Sequence, residues 1–433
     1  MKNKYFLYII LFLSVNGFAQ ESLTLQQAIE TGLKNNYSII IQRNEAAKAV
    51  NNYTPGNAGM LPRLDATVIQ NNTITDTRQE YTTGNIIDRN GATASSLNAD
   101  GALTWTVFDG FTMFASYNKL KELQKAGDIN ARMTIEDALQ QIIASYFDVV
   151  KQQTLLQVID SSRKISDIKL NIAKTRFEIG AASKLDYLQA QVDRNADESL
   201  YKKQIVTIAE SKIRLNQLLA RKVDTDFFPA DSIIASSPAE LDQSLSKALS
   251  DNSQLKIAGS NLEIARLTIR EWKGQRWPTI DLNAGYNYSQ SSSEASLVQE
   301  NKSNGLNYGF TVRWNLFNGF TLNSIIKNAK LDYNSYMIRL DEIKSSVDAE
   351  TRIAWQQLRS NLEIVTLEQQ NALLAKENIN LAIERFRVGL TDELQLKEAQ
   401  QSYTEALNRL VGVQYDARIS QTTLQRITGT LIQ

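Results

Sequence analysis

The side chains that most enzymes use for nucleophilic attack and proton transfer are missing from this chain of 433 residues. It contains no cysteine and no histidine, which removes thiolate nucleophiles, imidazole bases, disulfides and zinc sites built on either residue. Ser161 and Lys164 have the S-x-x-K spacing of serine acyl-enzymes, but they stand in a polar helical tract without the partner motifs of those enzymes. We therefore predict no enzymatic activity, no cofactor and no metal site.

The N-terminus predicts export from the cytoplasm. Lys2 and Lys4 precede an apolar run of about eleven residues, and Gly17-Phe18-Ala19 resembles a signal-peptidase site, so residues 1–19 are predicted to be a signal peptide. No cysteine follows, and we expect no N-terminal lipid anchor. The 47 Lys and Arg residues balance 47 Asp and Glu residues, which argues against a nucleic-acid partner.

The chain repeats itself. The stretch "WTVFDGF" that begins at Trp105 returns 209 positions later as "WNLFNGF" from Trp314, and "TRFEIGAASKLDYLQAQ" returns as "ERFRVGLTDELQLKEAQ" at the same offset. Long helices hold such an offset, because one inserted residue rotates everything after it by about 100°. We predict a first repeat over 20–223, a linker or equatorial region over 224–240, and a second repeat over 241–433.

Each repeat is predicted to contain two helices of unequal length. No proline lies between Arg63 and Phe228 or after Pro278, so both tracts are free to be helical. Apolar residues with the 4-3-4-3 spacing of a coiled-coil seam run through the first tract. The predicted long helices cover about 110–178 and 319–387, and the predicted return helices cover about 183–220 and 391–428.

Two strands are predicted before each long helix, at about 61–76, 94–108, 278–289 and 305–317. In "LNYGFTVRWNLF", from Leu306, apolar and polar residues alternate, which gives one apolar and one polar face. Polar loops are predicted between them, over Thr75–Ala94 and Ser289–Asn304. Such strands are typical of a transmembrane β-barrel, although a soluble β-sandwich with one buried face would share the alternation. Four strands cannot close a barrel, so a membrane protein of this kind must oligomerise, and three copies would supply twelve strands.

These features together resemble the outer membrane efflux proteins of Gram-negative bacteria, the TolC-like channels. The resemblance rests on the signal peptide, the duplicated unit, the W-x-x-F-[DN]-G corner and the R-F-x-[IV]-G turn. It implies a mainly α-helical homotrimer with a shared 12-stranded outer membrane β-barrel and a periplasmic tunnel of helices. It also implies passive export, with a periplasmic adaptor and, indirectly, an inner-membrane pump as partners.

The resemblance implies roles for three groups of residues. The turns that end the long helices would contact the adaptor, with Ser183 and Thr391 expected as N-caps of the return helices; the turn residues are Ile179, Gly180, Ala181, Val388, Gly389 and Leu390. The pore constriction would involve Asp186, Gln395 and Glu398, of which Gln395 departs from the acidic family pattern. The barrel-to-helix junction would comprise Trp105, Phe108, Gly110, Trp314, Phe317 and Gly319.

A second class of function shares most of these features. A periplasmic coiled-coil scaffold with a small β-domain would have the same helices and would conduct nothing. The alternating strands distinguish the two classes, because only a channel needs an apolar sheet face that meets lipid. Nothing in the sequence identifies the transported substrate.

Overall fold

The computed structural model describes residues 21–432, and the predicted signal peptide lies outside this range. Both halves of the described chain run in one order: two short helices, a pair of strands, a long helix and a return helix. The first half contains β1 (Glu21–Leu23), α1 (Leu25–Asn35), α2 (Tyr37–Asn52), β2 (Arg63–Glu80), β3 (Ile86–Phe108), α3 (Thr112–Glu178) and α4 (Lys184–Leu218). The second half contains β4 (Phe227–Pro229), α5 (Leu241–Asp251), α6 (Ser253–Gly274), β5 (Thr279–Ser293), β6 (Glu300–Arg313), α7 (Thr321–Arg387) and α8 (Glu393–Ile427).

The helices of the two halves match in length. The long helices α3 and α7 have 67 residues each, and the return helices α4 and α8 have 35 residues each. A Gly with positive φ follows each long helix, Gly180 at 77° and Gly389 at 79°, because ending a helix in the left-handed region is least costly without a Cβ. The prediction of a tandem repeat of long helices and strand pairs is confirmed at this level of the fold.

The expected N-caps hold for one return helix and fail for the other. Ser183 caps α4, and its hydroxyl accepts a hydrogen bond from the Asp186 amide. Helix α8 is instead capped by Asp392, whose carboxylate accepts from the Gln395 amide, so the assignment of Thr391 was wrong. The Asp392 carboxylate is the stronger acceptor at the positive end of a helix, and the Thr391 hydroxyl donates to the Gln395 side chain.

The strands are longer than the hydrophobic pattern predicted. Most of Thr75–Ala94, expected as a loop, continues β2 and β3, and part of Ser289–Asn304 continues β5 and β6. Polar and charged residues predominate in these extensions, so apolar and polar residues do not alternate there, while backbone pairing continues. In the opposite direction, β6 ends at Arg313, before the predicted end at about residue 317.

The four long strands form one antiparallel sheet in the order β2-β3-β5-β6. Leu64 lies opposite Leu103 in the first hairpin, and Ile280 lies opposite Val312 in the second. In the sequence repeat Leu64 corresponds to Ile280 and Leu103 to Val312, so both hairpins have the same register. Strands β2 and β6 are the two edges of this sheet.

The chain divides into two compact units, each built from separate segments. Of the described residues, one unit comprises 21–40, 134–248 and 349–432, and the other comprises Ile41–Met133 and Leu249–Asp348. The first unit has a buried cluster around Tyr146, Ile142 and Leu215, each fully shielded from solvent. In this unit β1 pairs in parallel with β4, which lies within the segment predicted as a linker.

Candidate functional site: the helical tips and the strand-to-helix corners

The two turns that end the long helices have the same backbone hydrogen bonds. The Ala181 amide donates to the Arg176 carbonyl at 2.7 Å, and the Leu390 amide donates to the Arg385 carbonyl at 2.9 Å. This six-residue closure is the Schellman arrangement, which satisfies carbonyls at a helix end. The equivalent turns therefore follow from the shared R-F-x-[IV]-G sequence.

Apolar side chains at these turns point into solvent. Ile179 is 73% exposed, Val388 66% and Leu390 70%, and Ala181 is also exposed. Leu185 and Leu394, in the first turns of the return helices, extend the same surface. Apolar groups clustered on a tip are typical of a surface that binds another protein.

The three residues predicted at a constriction differ in their surroundings. The Asp186 carboxylate accepts from the Ser183 amide at 3.0 Å and completes a capping box at the start of α4. Asp186 and Gln395 line one pocket between the two tips, together with Arg176, Phe386 and Gly389. Glu398 does not line this pocket, and its side chain is exposed.

A buried cation joins the two hairpins near their tips, and the sequence reasoning missed it. Lys169 in α3 is 1% exposed, and its Nζ lies 2.7 Å from Asp193 Oδ2 in α4 and 2.7 Å from Glu393 Oε1 in α8. Lys397 Nζ lies 3.1 Å from the other oxygen of Asp193. A buried charge is tolerated when it is paired on several sides, as here.

Two opposing effects act on the carboxyl group of Asp193. Burial alone raises the pKa of Asp193, but hydrogen bonds from Lys169 and Lys397 outweigh burial and hold that pKa below its usual value. The carboxylate is therefore charged at neutral pH and can bind both lysines.

A neutral polar cluster continues this seam along α8. The Gln400 side chain, 8% exposed, donates to the Ser162 hydroxyl and the Ser166 hydroxyl, both at 2.9 Å. The Ser166 hydroxyl in turn donates to Asp197 of α4 at 2.6 Å. On each helix the polar residues of this seam are three or four positions apart and share one face, but spacing alone does not show that the two faces meet. These residues are Ser162, Ser166 and Lys169 on α3 and Glu393, Lys397 and Gln400 on α8.

The aromatic corners lie where the second strand of each repeat leads into the long helix, with Trp105 and Phe108 at the end of β3 and Trp314 and Phe317 just after β6. The Trp105 indole donates to the Met60 carbonyl at 3.0 Å, and the Trp314 indole donates to the Arg276 carbonyl at 3.0 Å. Met60 and Arg276 occupy equivalent positions, each shortly before the first strand of the strand pair in its repeat. The same side chain thus closes the same corner twice.

The two residues that follow each aromatic cluster have positive φ. Gly110 and Phe111 have φ of 71° and 66°, and Gly319 and Phe320 have both φ near 65°. The Phe111 ring packs edge-on against Phe108 and the Phe320 ring against Phe317. A non-glycine residue in this region is uncommon, so the repeated Gly-Phe conformation is a shared feature of both corners.

The S-x-x-K match lies in the middle of α3. The Ser161 hydroxyl donates to the Gln157 carbonyl one turn earlier, at 2.9 Å, and Lys164 pairs with Asp160 at 2.8 Å. Both contacts are ordinary helix-surface contacts. Within residues 21–432, no helix has a segment long and apolar enough to cross a membrane.

Comparison with known proteins identifies the family. The family model described as "Outer membrane efflux protein" matches residues 28–221 and 244–430. The chain belongs to the outer membrane efflux protein family. These two matched segments of the efflux family model together span most of the chain.

Individual members of the efflux family are distant in sequence. The chain is 23% identical to "Outer membrane protein TolC" of Vibrio cholerae serotype O1 over 325 residues, 73% of each protein. It is 21% identical to "Alkaline protease secretion protein AprF" of Pseudomonas aeruginosa over 434 residues, 98% of this chain and 87% of that protein. The CmeC outer membrane channel of Campylobacter jejuni has a similar fold, with a TM-score of 0.79 and 14% identity over 94% of this chain and 86% of that one.

Proposed function

We propose that this protein is the outer membrane channel of a tripartite efflux or type I secretion system. It forms a homotrimer with a 12-stranded barrel in the outer membrane, and a tunnel of helices extends into the periplasm. Export through it is passive. Membership of the outer membrane efflux protein family supports this proposal.

The open edges of the sheet are the observation that carries the proposal. Large apolar side chains on both edge strands are exposed, including Leu64 at 75%, Val68 at 70%, Tyr308 at 83% and Phe310 at 73%. An open, apolar-faced edge is unstable in water, where it promotes aggregation, and impossible in lipid, where backbone groups have no alternative partner. When the sheets of three chains close into one barrel, each edge strand pairs with an edge strand of a neighbouring chain, and none of the six edges stays open.

The helical tips are proposed as the contact for the periplasmic adaptor. Six exposed or turn residues form this surface, Ile179, Gly180, Ala181, Val388, Gly389 and Leu390. The apolar character of the tips suits helical hairpins of a partner, which bury apolar residues at regular spacing. An inner-membrane pump would act through that adaptor.

The constriction of the tunnel is proposed near the same tips. Threefold repetition of Asp186 and Glu398 would place six carboxylates around one axis and favour cations. Gln395, which lines a pocket with Asp186, would contribute a neutral side chain. One relative is named for secretion of an alkaline protease and another for antibiotic efflux, so membership of the family does not select one class of cargo.

The proposal is tested by expressing the full chain and examining purified outer membranes. We expect a band in unheated gel samples that runs as a trimer and converts to a monomer on boiling, and we expect ion conductance in planar bilayers. A monomeric protein in the soluble periplasmic fraction would instead support the scaffold. The tip assignment is tested with Gly389→Cys, which should crosslink to the adaptor, whereas a cysteine at exposed Glu398 serves as a control farther from the tip.

A further inference from the structure

The internal repeat of the sheet specifies how neighbouring subunits pair. Strand β3, the last strand of the first repeat, pairs with β5, the first strand of the second repeat, and this contact lies within one chain. In the proposed trimer, β6 stands in the position of β3, and β2 of the next subunit stands in the position of β5. The intrachain contact is therefore a template for the contact between subunits.

We infer that β6 pairs antiparallel with β2 of the next subunit in the register that places Val312 opposite Val68. Leu103 pairs with Ala284 within the chain, and the repeat carries Leu103 to Val312 and Ala284 to Val68. The inference rests on the proposed trimer and adds the residue-by-residue partner of each edge strand. The same rule places Leu306 opposite Ile74 and Arg313 opposite Thr67.

The register of the contact within one chain can be applied to the contact between subunits, because the sequence repeat already predicts the register of one hairpin from the other. Shifting the β2–β3 pairing by the sequence repeat gives the β5–β6 pairing without any adjustment, as Leu64 with Leu103 and Ile280 with Val312 show. The spacing of the two hairpins is thus the same in both repeats. A barrel built from six such hairpins is most regular when all the contacts between hairpins are alike.

The faces of the two edge strands provide an independent check. Slipping a strand by one residue would bring its apolar residues to the polar face. In the inferred register the exposed Leu306 and Val312 of β6 lie opposite Ile74 and Val68 of β2, and the apolar faces of the two strands coincide. Registers shifted by two residues also keep the faces aligned, so those are the true competitors.

Disulfide crosslinking distinguishes these registers, and the chain suits the experiment because it has no cysteine of its own. Val312→Cys with Val68→Cys should form intersubunit disulfides on oxidation of outer membranes, giving covalent dimers and closed trimers on non-reducing gels. The two cysteines cannot join within one chain, because β2 and β6 lie three strands apart, about 14 Å. Arg313→Cys with Thr67→Cys repeats the test at the neighbouring pair, since consecutive antiparallel pairs alternate in separation.

Matched controls use the same β6 position. Val312→Cys with Ala66→Cys and Val312→Cys with Gln70→Cys represent the registers shifted by two residues, where the Cα atoms would lie about 7–8 Å apart, too far for an efficient disulfide. Leu103→Cys with Ala284→Cys, paired within the chain, should form a disulfide that leaves the protein monomeric after boiling. If Val68→Cys prevents assembly, Leu306→Cys with Ile74→Cys carries the same test.

Each outcome decides the question. At least five-fold more crosslinking in the Val312–Val68 and Arg313–Thr67 pairs than in the shifted pairs supports the register. Stronger crosslinking in a shifted pair overturns the register while leaving the trimer and its conductance intact. If no interchain pair crosslinks although the intrachain control does, the register is wrong. If the protein without cysteine substitutions shows neither conductance nor a heat-sensitive trimer, the proposed function is overturned as well.

Discussion

The indole nitrogen of Trp105 lies 3.0 Å from the carbonyl oxygen of Met60, and the Trp314 indole has the same relationship to Arg276. Each of these hydrogen bonds joins the end of the second strand of a pair to the segment that precedes the first strand. A corner that occurs twice with the same donor and an equivalent acceptor is a structural unit of the repeat. It provides a direct way to compare the two halves of the chain.

Replacing either tryptophan by phenylalanine removes this hydrogen bond but keeps an aromatic ring. We expect Trp105→Phe and Trp314→Phe each to lower the free energy of unfolding by about 1 kcal/mol, the usual net value of one such bond. The measurement is the urea concentration at which the purified protein unfolds. Trp277→Phe, at an exposed tryptophan close to the same corners, is the control, and an equal loss in the control would contradict the assignment.

The glycines of the two corners should differ in their tolerance of alanine. A Cβ on Gly110 would lie 2.1 Å from the Gly274 carbonyl oxygen, whereas a Cβ on Gly319 meets no described heavy atom within 4 Å. Gly319→Ala should therefore cost only the left-handed backbone penalty of about 1–2 kcal/mol. Gly110→Ala should prevent accumulation of the heat-sensitive trimer, and equal trimer yields from both variants would refute the packing at this corner.

The buried Lys169 should be far more important for stability than its exposed neighbour Lys397. Lys169→Ala leaves Asp193 and Glu393 without their shared cation, and we expect a loss of about 3–5 kcal/mol. Lys397→Ala removes a 40% exposed partner of the same Asp193 and should cost about 1 kcal/mol or less. Calorimetry of the two variants compares these losses directly, and similar melting temperatures would count against a buried ion pair.

Acid should loosen the seam between α8 and the α3/α4 hairpin. Because the pKa of Asp193 in the folded protein is below its unfolded value of about 4, its contribution to stability is complete above that value and is lost as the pH falls through the folded pKa. Limited proteolysis of the tips should therefore accelerate below about pH 4. Asp193→Asn should already be cleaved faster at neutral pH and should show a smaller pH effect.

Substitutions of Asp186 and Glu398, the two acidic residues proposed at the constriction, should differ in their effect on stability. Ser183→Ala and Asp186→Asn both damage the capping box of α4 and should lower stability by about 1 kcal/mol. Glu398→Gln, at an exposed side chain, should leave stability unchanged and reduce the preference for cations, measured as the reversal potential across a bilayer in a salt gradient. A reversal potential unaffected by both Asp186→Asn and Glu398→Gln would place the selectivity elsewhere.

The sequence predicted the fold at the level of repeated units because long helices and alternating strands leave periodic signals. It failed where the signal was a single contact. Thr391 and Asp392 are adjacent, and both residue types are acceptable N-caps. Which of them caps α8 depends on the position at which the backbone becomes helical, and that position follows Asp392. The ends of β2 and β3 were missed because polar strand extensions lack alternation.

The candidate site was predictable only in part. The tip glycines follow from sequence alone, since an antiparallel return after a long helix requires a left-handed residue. The Lys169 cluster was not predicted, because its partners come from three helices of two repeats, and their approach depends on packing rather than on spacing in any one helix. The role of Asp186 in a capping box likewise became visible only with side-chain geometry.

The equal register of the two hairpins has a consequence for how many subunits assemble. If each hairpin edge presents the same pattern to its neighbour, the sheet accepts another hairpin equally well at every position. The strand pairing then does not specify that three chains form the ring. Rings of two or four chains would satisfy the strand edges with the same pairs. The stoichiometry must then be set by the helices, whose side-by-side packing permits only certain numbers around an axis, and misassembled rings should appear first when the helical contacts are weakened.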